Sequence, residues 1–312
     1  MDGGNTARLV QQADDIIRRG SKSFAAATRL FPRHLRRDVV LLYTWCRHCD
    51  DLIDGQELGA GAISTASRET LENLRAQSLA ALQGAASGQL PFQALADLAQ
   101  RHPLDQALIE AHLAGFELDV VGWEPQSLDD TLKYCYHTAG TVGIMMARLM
   151  AVSDAQTLCR ASDLGIAFQL TNIARDVVED ARAGRSYLPA AWRDQAGLAI
   201  ADLAAPERRE QVFPLVRRLI GEAEPYYHSA ATGVRELPRR AAWAVGTARS
   251  VYRDIGHKIV RLGPRALDRR IYTGRGRKFW RMATALPGAM AARGQQHATR
   301  SRNGLWTPPE IA

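Results

Sequence analysis

No stretch of this sequence runs for about 18 uninterrupted apolar residues, so a membrane-spanning helix is not expected. The opening Met1-Asp2-Gly3-Gly4-Asn5 has neither the charged nor the apolar region of a secretory signal, and a cytoplasmic protein is the expectation. Asn-Gly or Asp-Gly turns between alternating segments are missing and β-branched runs are few, which argues against hairpin sheets. There is no P-loop, no G-x-G-x-x-G after a candidate strand, and no Ser-His-Asp arrangement recognisable from spacing. A nicotinamide cofactor is therefore not expected. Repeats and low-complexity linkers are also lacking, so the 312 residues are read as one domain.

Cysteine is scarce, with four in the chain. Cys46 and Cys49 have C-x-x-C spacing, but no strand-helix-strand pattern surrounds them as a redox site requires. A structural zinc site needs four ligands, and Cys135 and Cys159 are distant. The pair reads as small residues packed on a buried helix, and a cytosolic location argues against disulfides.

What is present is helix-forming. Hydrophobic residues make up 46% of the chain and aromatics 7%, with alanine and leucine abundant, which predicts an all-α fold. Candidate helices are Ala7 to Arg19, Arg36 to Ile53, Arg68 to Gly84, Pro91 to Gln100, Asp105 to Val121, Ser127 to Val152, Ala155 to Arg182, Arg208 to Ala230, Pro238 to Arg261 and Gly276 to Arg293. Glycine and proline fall between them, at Gly184 to Pro189 and at Leu237-Pro238 for example.

The net charge of +7 is uneven, with eleven Lys or Arg and one acid, Asp268, between Arg261 and Arg302. No nucleic-acid recognition module surrounds these charges, so nucleic acid is not an expected partner. Two readings stay open, a solvated face and peripheral contact with an anionic membrane surface on the cytoplasmic side, which the interleaved Phe279-Trp280-Arg281-Met282 would suit as an interfacial anchor.

Two acidic stretches carry the chemistry. Asp50 and Asp54, like Asp176 and Asp180, are four residues apart, so in a helix each pair presents two carboxylates in one direction. With 33 acidic residues, roughly three such pairs arise by chance, and most are solvated. Here the neighbours are apolar: Val39 to Trp45 before the first pair, Gly165 to Ile173 before the second. Both pairs are expected to be buried, and ionised carboxylates in an apolar interior need cations. Magnesium suits sparse carboxylates because it keeps waters and is commonly completed by substrate phosphates. Arg47 and Arg175 stand beside the pairs with forks that match phosphate oxygens. The alternative is an internal salt-bridge network with no ligand. Gly20-Ser21-Lys22-Ser23-Phe24 offers hydroxyls, amides and an ammonium for phosphate, or a helix cap.

These stretches together resemble the squalene and phytoene synthase family. The resemblance rests on Gly20 to Phe24, on Tyr43-Thr-Trp-Cys-Arg-His-Cys-Asp-Asp-Leu-Ile-Asp54, on Tyr134-Cys-Tyr-His-Thr-Ala-Gly-Thr-Val-Gly143, on Gln169-Leu-Thr-Asn-Ile-Ala-Arg-Asp-Val-Val-Glu-Asp180 and on Gly184-Arg-Ser-Tyr-Leu-Pro189. They follow in the family's order over residues 15 to 272, leaving a basic extension from 273 to 312. The run Trp45 to Asp54 and the run Arg182 to Pro189 look most like bacterial phytoene synthases. The resemblance implies a single-domain isoprenoid synthase helical bundle with a central cavity.

It further implies that Asp50, Asp54, Asp176 and Asp180 carry magnesium, or manganese in its place, with Asn172 and Gln169 completing the second rim. Ser21, Lys22, Phe24, Arg47, Arg175 and Arg270 would contact the isoprenoid diphosphate substrate, although several arginines compete for the last position. Tyr43, Tyr134 and Tyr252 match positions near the reacting carbons. The implied reaction joins two geranylgeranyl diphosphates through a cyclopropyl diphosphate to phytoene, with downstream carotenoid enzymes as further partners. The alternatives are dehydrosqualene or squalene synthesis from farnesyl diphosphate, or a non-catalytic membrane-associated assembly factor. Thr28 and Val40 are not bulky, which permits a tunnel for the longer chain.

Overall fold

A computed structural model describes residues 3–20, 28–54, 67–85, 87–271, 302 and 304–307; the candidate helix from Gly276 to Arg293 and the Ser21, Lys22 and Phe24 positions lie outside them. In chain order the α-helices are α1 (Gly3–Gly20), α2 (Arg33–Asp54), α3 (Arg68–Leu82), α4 (Leu90–Ala99), α5 (Gln106–Val120), α6 (Leu128–Cys135), α7 (Thr141–Leu149), α8 (Ala155–Arg182), α9 (Ala190–Gln195), α10 (Arg209–Glu236) and α11 (Arg239–Leu262). A π turn, Tyr136–Gly140, joins α6 to α7, and short 3-10 turns lie at Ala201–Ala204, Pro206–Arg208 and Gly263–Asp268. No strand occurs among the described residues, as the composition predicts. None of the described helices is long and apolar enough to cross a membrane.

The chain falls into two compact units, Met1–Val121 with Ile144–Ser153, and Gly122–Gly143 with Asp154–Ala312. In the first, α2 packs on α1, α3, α4 and α5. Leu42, Trp45, Cys49 and Ile53, spaced by three or four residues, form its buried stripe. Trp45 is fully buried, donates from Nε1 to Ser78 Oγ on α3 at 3.1 Å, and lies 5.3 Å from the His112 ring on α5. This stripe fixes the rotation of α2 and turns Tyr43, Arg47 and Asp50, spaced by four and three residues, onto the other face.

In the second unit α8 packs on α6, the π turn, α10 and α11. Asp154 starts it by accepting from the Thr157 backbone N–H and hydroxyl, each at 2.8 Å. Gly184, at φ +74°, ends the turn after it, a conformation that a side chain disfavours. The crossing of α8 with the π turn is backbone on backbone. A Cβ on Gly165 would stand 2.1 Å from the Ala139 carbonyl oxygen, and one on Gly143 would stand 2.2 Å from that of Ala161. The glycines of the Tyr134 to Gly143 motif are therefore packing residues.

The helix expected without a break from Ser127 to Val152 is interrupted by the π turn. Thr138 and Thr141 donate their hydroxyls to the Tyr134 and His137 carbonyls at 3.0 and 2.7 Å, competing with the regular ladder at this point. The expected helix ending at Ala230 continues to Glu236 and stops where Pro238 forces Leu237 into an extended conformation, φ −76° and ψ 153°. Helix α9 was not anticipated, because six residues contain too little periodicity to read.

Candidate active site

In the first unit, Arg47 is the centre of the acidic face of α2. Its Nε and Nη2 donate to Asp51 Oδ1 at 2.9 and 2.5 Å, and its Nη1 stands 3.9 Å from Asp50 Oδ2. Burial pulls this guanidinium down, but the Asp51 hydrogen bond and the Asp50 charge outweigh it and hold its pKa above the ordinary value. Asp51, absent from the expected site, is therefore the carboxylate that orients Arg47. Its i,i+4 spacing from Arg47 was visible in the sequence. The expected burial does not hold for Asp50, whose side chain is 47% exposed, because it sits on the face opposite Trp45 and Cys49. Tyr43 is half-buried on the same face.

The cysteines beside this face are not reactive. All four are free thiols, and burial, reinforced by neighbouring charge at Cys46 and Cys49, pushes those two up and disfavours thiolate. Burial also draws the His48 imidazole below its usual range, although Asp51 opposes the shift.

In the second unit, Gln169, Asn172, Asp176 and Asp180 follow one another by three, four and four residues along α8 and share a face. Arg175 grips Asp176 with both arms of its fork, Nε to Oδ1 at 2.7 Å and Nη2 to Oδ2 at 2.5 Å. Arg270 donates to the same Oδ2 at 2.8 Å, so of the competing arginines this one is beside the acidic face. Asn172 donates from Nδ2 to Gln169 Oε1 at 3.2 Å, which aims its own Oδ1 elsewhere. That oxygen is buried and has no hydrogen-bond partner.

Aromatic rings flank α8. Phe168 stacks on Tyr252 of α11 at 4.2 Å and lies 6.2 Å from Tyr227, whose hydroxyl pairs with Thr171 at 2.8 Å. Tyr134 on α6 is buried and stacks on Tyr187 at 4.6 Å, while Thr131 Oγ1 donates to the Tyr187 carbonyl at 3.1 Å. The Gly184 to Pro189 motif thus serves to carry Tyr187 onto Tyr134. Sequence reasoning gave no role of their own to Tyr187, which it read only as part of the Gly184 to Pro189 run, or to Tyr227.

The donors on α8 fit a hard divalent cation. Among the described residues no three or more His, Cys, Asp or Glu side chains gather into a metal-holding group. Magnesium does not need one, since one or two carboxylates with phosphate oxygens suffice. The observation that favours the fit is the orphaned Asn172 oxygen, a buried acceptor one turn from Asp176. The alternative of a ligand-free salt-bridge network accounts for Arg175, Arg270 and Asp176 but leaves that oxygen unexplained.

Comparison with known proteins identifies the family. The family model for squalene/phytoene synthase matches residues 17–277. The chain belongs to the squalene/phytoene synthase family. Among family members, a phytoene synthase of Pseudescherichia vulneris is 46% identical over 304 residues, 96% of this chain and 98% of that one. A 15-cis-phytoene synthase of Pantoea ananas is 46% identical over 98% of this chain and 99% of its own length, and one of Enterobacter agglomerans is 48% identical over 93% and 99%. The crystal structure of a ligand-bound dehydrosqualene synthase superposes with TM-score 0.81 at 26% identity, covering 90% of this chain and 96% of the other. A squalene synthase of Alicyclobacillus acidocaldarius, 20% identical over 84% of this chain and 97% of its own, has the same fold at TM-score 0.74. The isoprenoid synthase helical fold expected from the sequence is the fold of this family.

Proposed function

We propose that this protein is a phytoene synthase, a prenyltransferase that joins two geranylgeranyl diphosphates head to head in carotenoid biosynthesis. The observation that carries this reading is the near end-to-end likeness to bacterial 15-cis-phytoene synthases, at 46 and 48% identity. Asp50 and Asp54 on α2, and Asn172, Asp176 and Asp180 on α8, are the residues that would hold magnesium, and manganese would suit the same oxygen donors. When bound, the metal neutralises diphosphate and makes it a better leaving group.

The chain's own groups do the rest. Arg47, Arg175 and Arg270 bind diphosphate oxygens, and Asp51 and Asp176 hold the first and the last two of these forks in place before substrate arrives. The carbon–oxygen bond of one allylic diphosphate breaks with its electron pair leaving on the diphosphate. The double bond of the second chain attacks the resulting cation, and loss of a proton closes the cyclopropyl diphosphate. The second diphosphate then leaves, and rearrangement with loss of another proton gives phytoene. The faces of Phe168 and Tyr252, stacked on each other, favour passing positive charge and exclude water. Tyr43 and Tyr134 would lie near the reacting carbons, and Ser21, Lys22 and Phe24 would contact diphosphate, roles that rest on likeness to the family.

The deciding experiment supplies purified protein and magnesium with geranylgeranyl diphosphate or farnesyl diphosphate separately and identifies the hydrocarbon formed. Phytoene from the C20 substrate is expected; a product only from the C15 substrate would replace this reading with dehydrosqualene or squalene synthesis. Asp176→Asn should be folded and inactive.

Peripheral membrane contact has a specific supporting observation. Val260 and Leu262 at the end of α11 are 39 and 38% exposed, two of three such large apolar side chains among the described residues. Val260 lines a groove with Ile220, Gly221, Arg217 and Arg261, while the groove's carboxylate, Glu224, is paired with Arg253 and lies within hydrogen-bond distance of His257. Apolar tips among guanidinium groups that pair with no carboxylate among the described residues suit an anionic bilayer, with each basic residue contributing about 1 kcal/mol. Flotation with anionic but not neutral vesicles, weakened in Arg217→Glu/Arg261→Glu, is expected; unchanged flotation of the variant would reject this surface.

A further inference from the structure

Arg302 and Trp306 fasten to the interior of the second unit. Arg302 sets its fork on Asp163 of α8, Nε to Oδ2 at 2.8 Å and Nη2 to Oδ1 at 2.7 Å. Asp163 is completely buried and also accepts from Ser229 Oγ of α10 at 2.5 Å. Arg302 Nη2 donates in addition to the Trp306 carbonyl at 3.2 Å, and the Leu305 N–H to the Arg302 carbonyl at 3.0 Å, closing the segment into a turn. The Trp306 N–H donates to the Tyr226 hydroxyl on α10 at 3.2 Å, and its ring lies 5.3 Å from that of Tyr136 in the π turn. Burial raises the Tyr226 hydroxyl to about 12, so it stays protonated at neutral pH.

One short segment therefore bridges α8, α10 and the π turn. A fully buried carboxylate left without its cation is strongly disfavoured, so the middle of α8 is complete only with Arg302 seated. The same stretch of α8 meets the π turn and the first turn of α7 through Gly140, Gly143 and Gly165 with no room for a methyl group, so a shift of either side displaces the other. Further along α8 come Gln169, Asn172 and Asp176, and just before the π turn comes Tyr134.

We propose that Arg302 and residues 304–306 form a C-terminal clasp, with Arg302 and Trp306 as positioning residues that hold the π turn and α8 in the register the reaction needs. Its catalytic part rests on the reading of α8 as a diphosphate-holding helix; its structural part does not.

The test compares the full chain with one ending at Arg300, each assayed with geranylgeranyl diphosphate and each examined by amide hydrogen exchange. In the shortened chain kcat is expected to fall about tenfold with KM little changed, since orientation rather than binding is lost. Amides of residues 136–143 should exchange faster. A synthetic peptide of residues 301–312 should restore both, and the same peptide with Arg302→Met should restore neither. Unchanged kcat and exchange in the shortened chain, or losses the peptide does not reverse, would overturn the clasp. Should the shortened chain precipitate, Trp306→Ala in the full chain decides: lower kcat with faster exchange at 136–143 supports it, and wild-type values for both reject it. Absence of any turnover by the full chain would count against the proposed reaction alone, because the exchange measurement still reads the clasp.

Discussion

Arg270 donates from Nη2 to Oδ2 of Asp176 at 2.8 Å, joining residues 94 positions apart in the chain. Arg175 already holds both oxygens of that carboxylate, so Arg270 is a second cation on one anion. A part-exposed ion pair of this kind adds little stability, and a guanidinium fork at this place is suited to phosphate oxygens.

Arg270→Met should therefore separate stability from activity. With Arg270 43% exposed, the variant is expected to lose at most about 1 kcal/mol of folding stability. Loss of a preorganised cation at the leaving diphosphate should lower kcat/KM about a hundredfold. Steady-state kinetics beside a urea titration checks this, and a variant less stable but fully active would mark the contact as structural.

Asp51→Asn tests the first unit in the same way. The amide keeps an acceptor for Arg47 but removes the charge that, with Asp50, holds the guanidinium pKa up. The freed fork has Asp50 3.9 Å away as its next partner, so Arg47 should swing toward it. We expect kcat/KM to fall about tenfold while the far-ultraviolet spectrum is retained. Wild-type kinetics would remove Asp51 from the site.

Two glycines should respond differently to alanine. At Gly165 the new methyl would stand 2.1 Å from the Ala139 carbonyl oxygen, and backbone cannot yield as a side-chain tip can, so Gly165→Ala should cost about 2–4 kcal/mol. At Gly184 nothing lies within 4 Å, and the only penalty is the positive φ, about 1 kcal/mol. Urea midpoints of the two variants measure the difference, and equal losses would mean that the crossing of α8 and the π turn relaxes.

The face of α2 was legible because it is local. Tyr43, Arg47, Asp50 and Asp54 repeat with the helix period, and Trp45, Cys49 and Ile53 repeat half a turn away, so sequence spacing alone fixes which residues share a side. The same holds for Gln169 through Asp180 on α8. What period does not encode is distance between remote segments. Arg270 was one of several arginines until its contact with Asp176 was seen, and Arg302 on Asp163 had no local signature at all. The exposure of Asp50 was misjudged for a related reason: an apolar run says that one side of a helix is buried, and the carboxylate occupies the other. The π turn escaped because its cause, two threonine hydroxyls bonded back to the chain and a glycine contact with α8, combines local with tertiary geometry.

The acid limb of stability should be traceable to Glu224. Burial alone would raise its carboxyl, but hydrogen bonds from Arg253, at 2.8 and 2.5 Å, and the nearby His257 outweigh burial and hold it below the ordinary carboxylate value. A depressed carboxylate stabilises the fold at pH above its unfolded value, near 4.5, and that contribution disappears as pH falls through the lower folded value. Glu224→Gln should therefore be less stable than the parent at pH 7 by about 1 kcal/mol, a modest figure because the pair is partly exposed and screened. The gap should narrow below about pH 4.5 as the parent's carboxylate is protonated, and urea midpoints from pH 7 to pH 3 would follow it. A gap that stays constant over that range would mean that the substitution removes packing rather than charge, and would take the carboxylate out of the account of acid sensitivity.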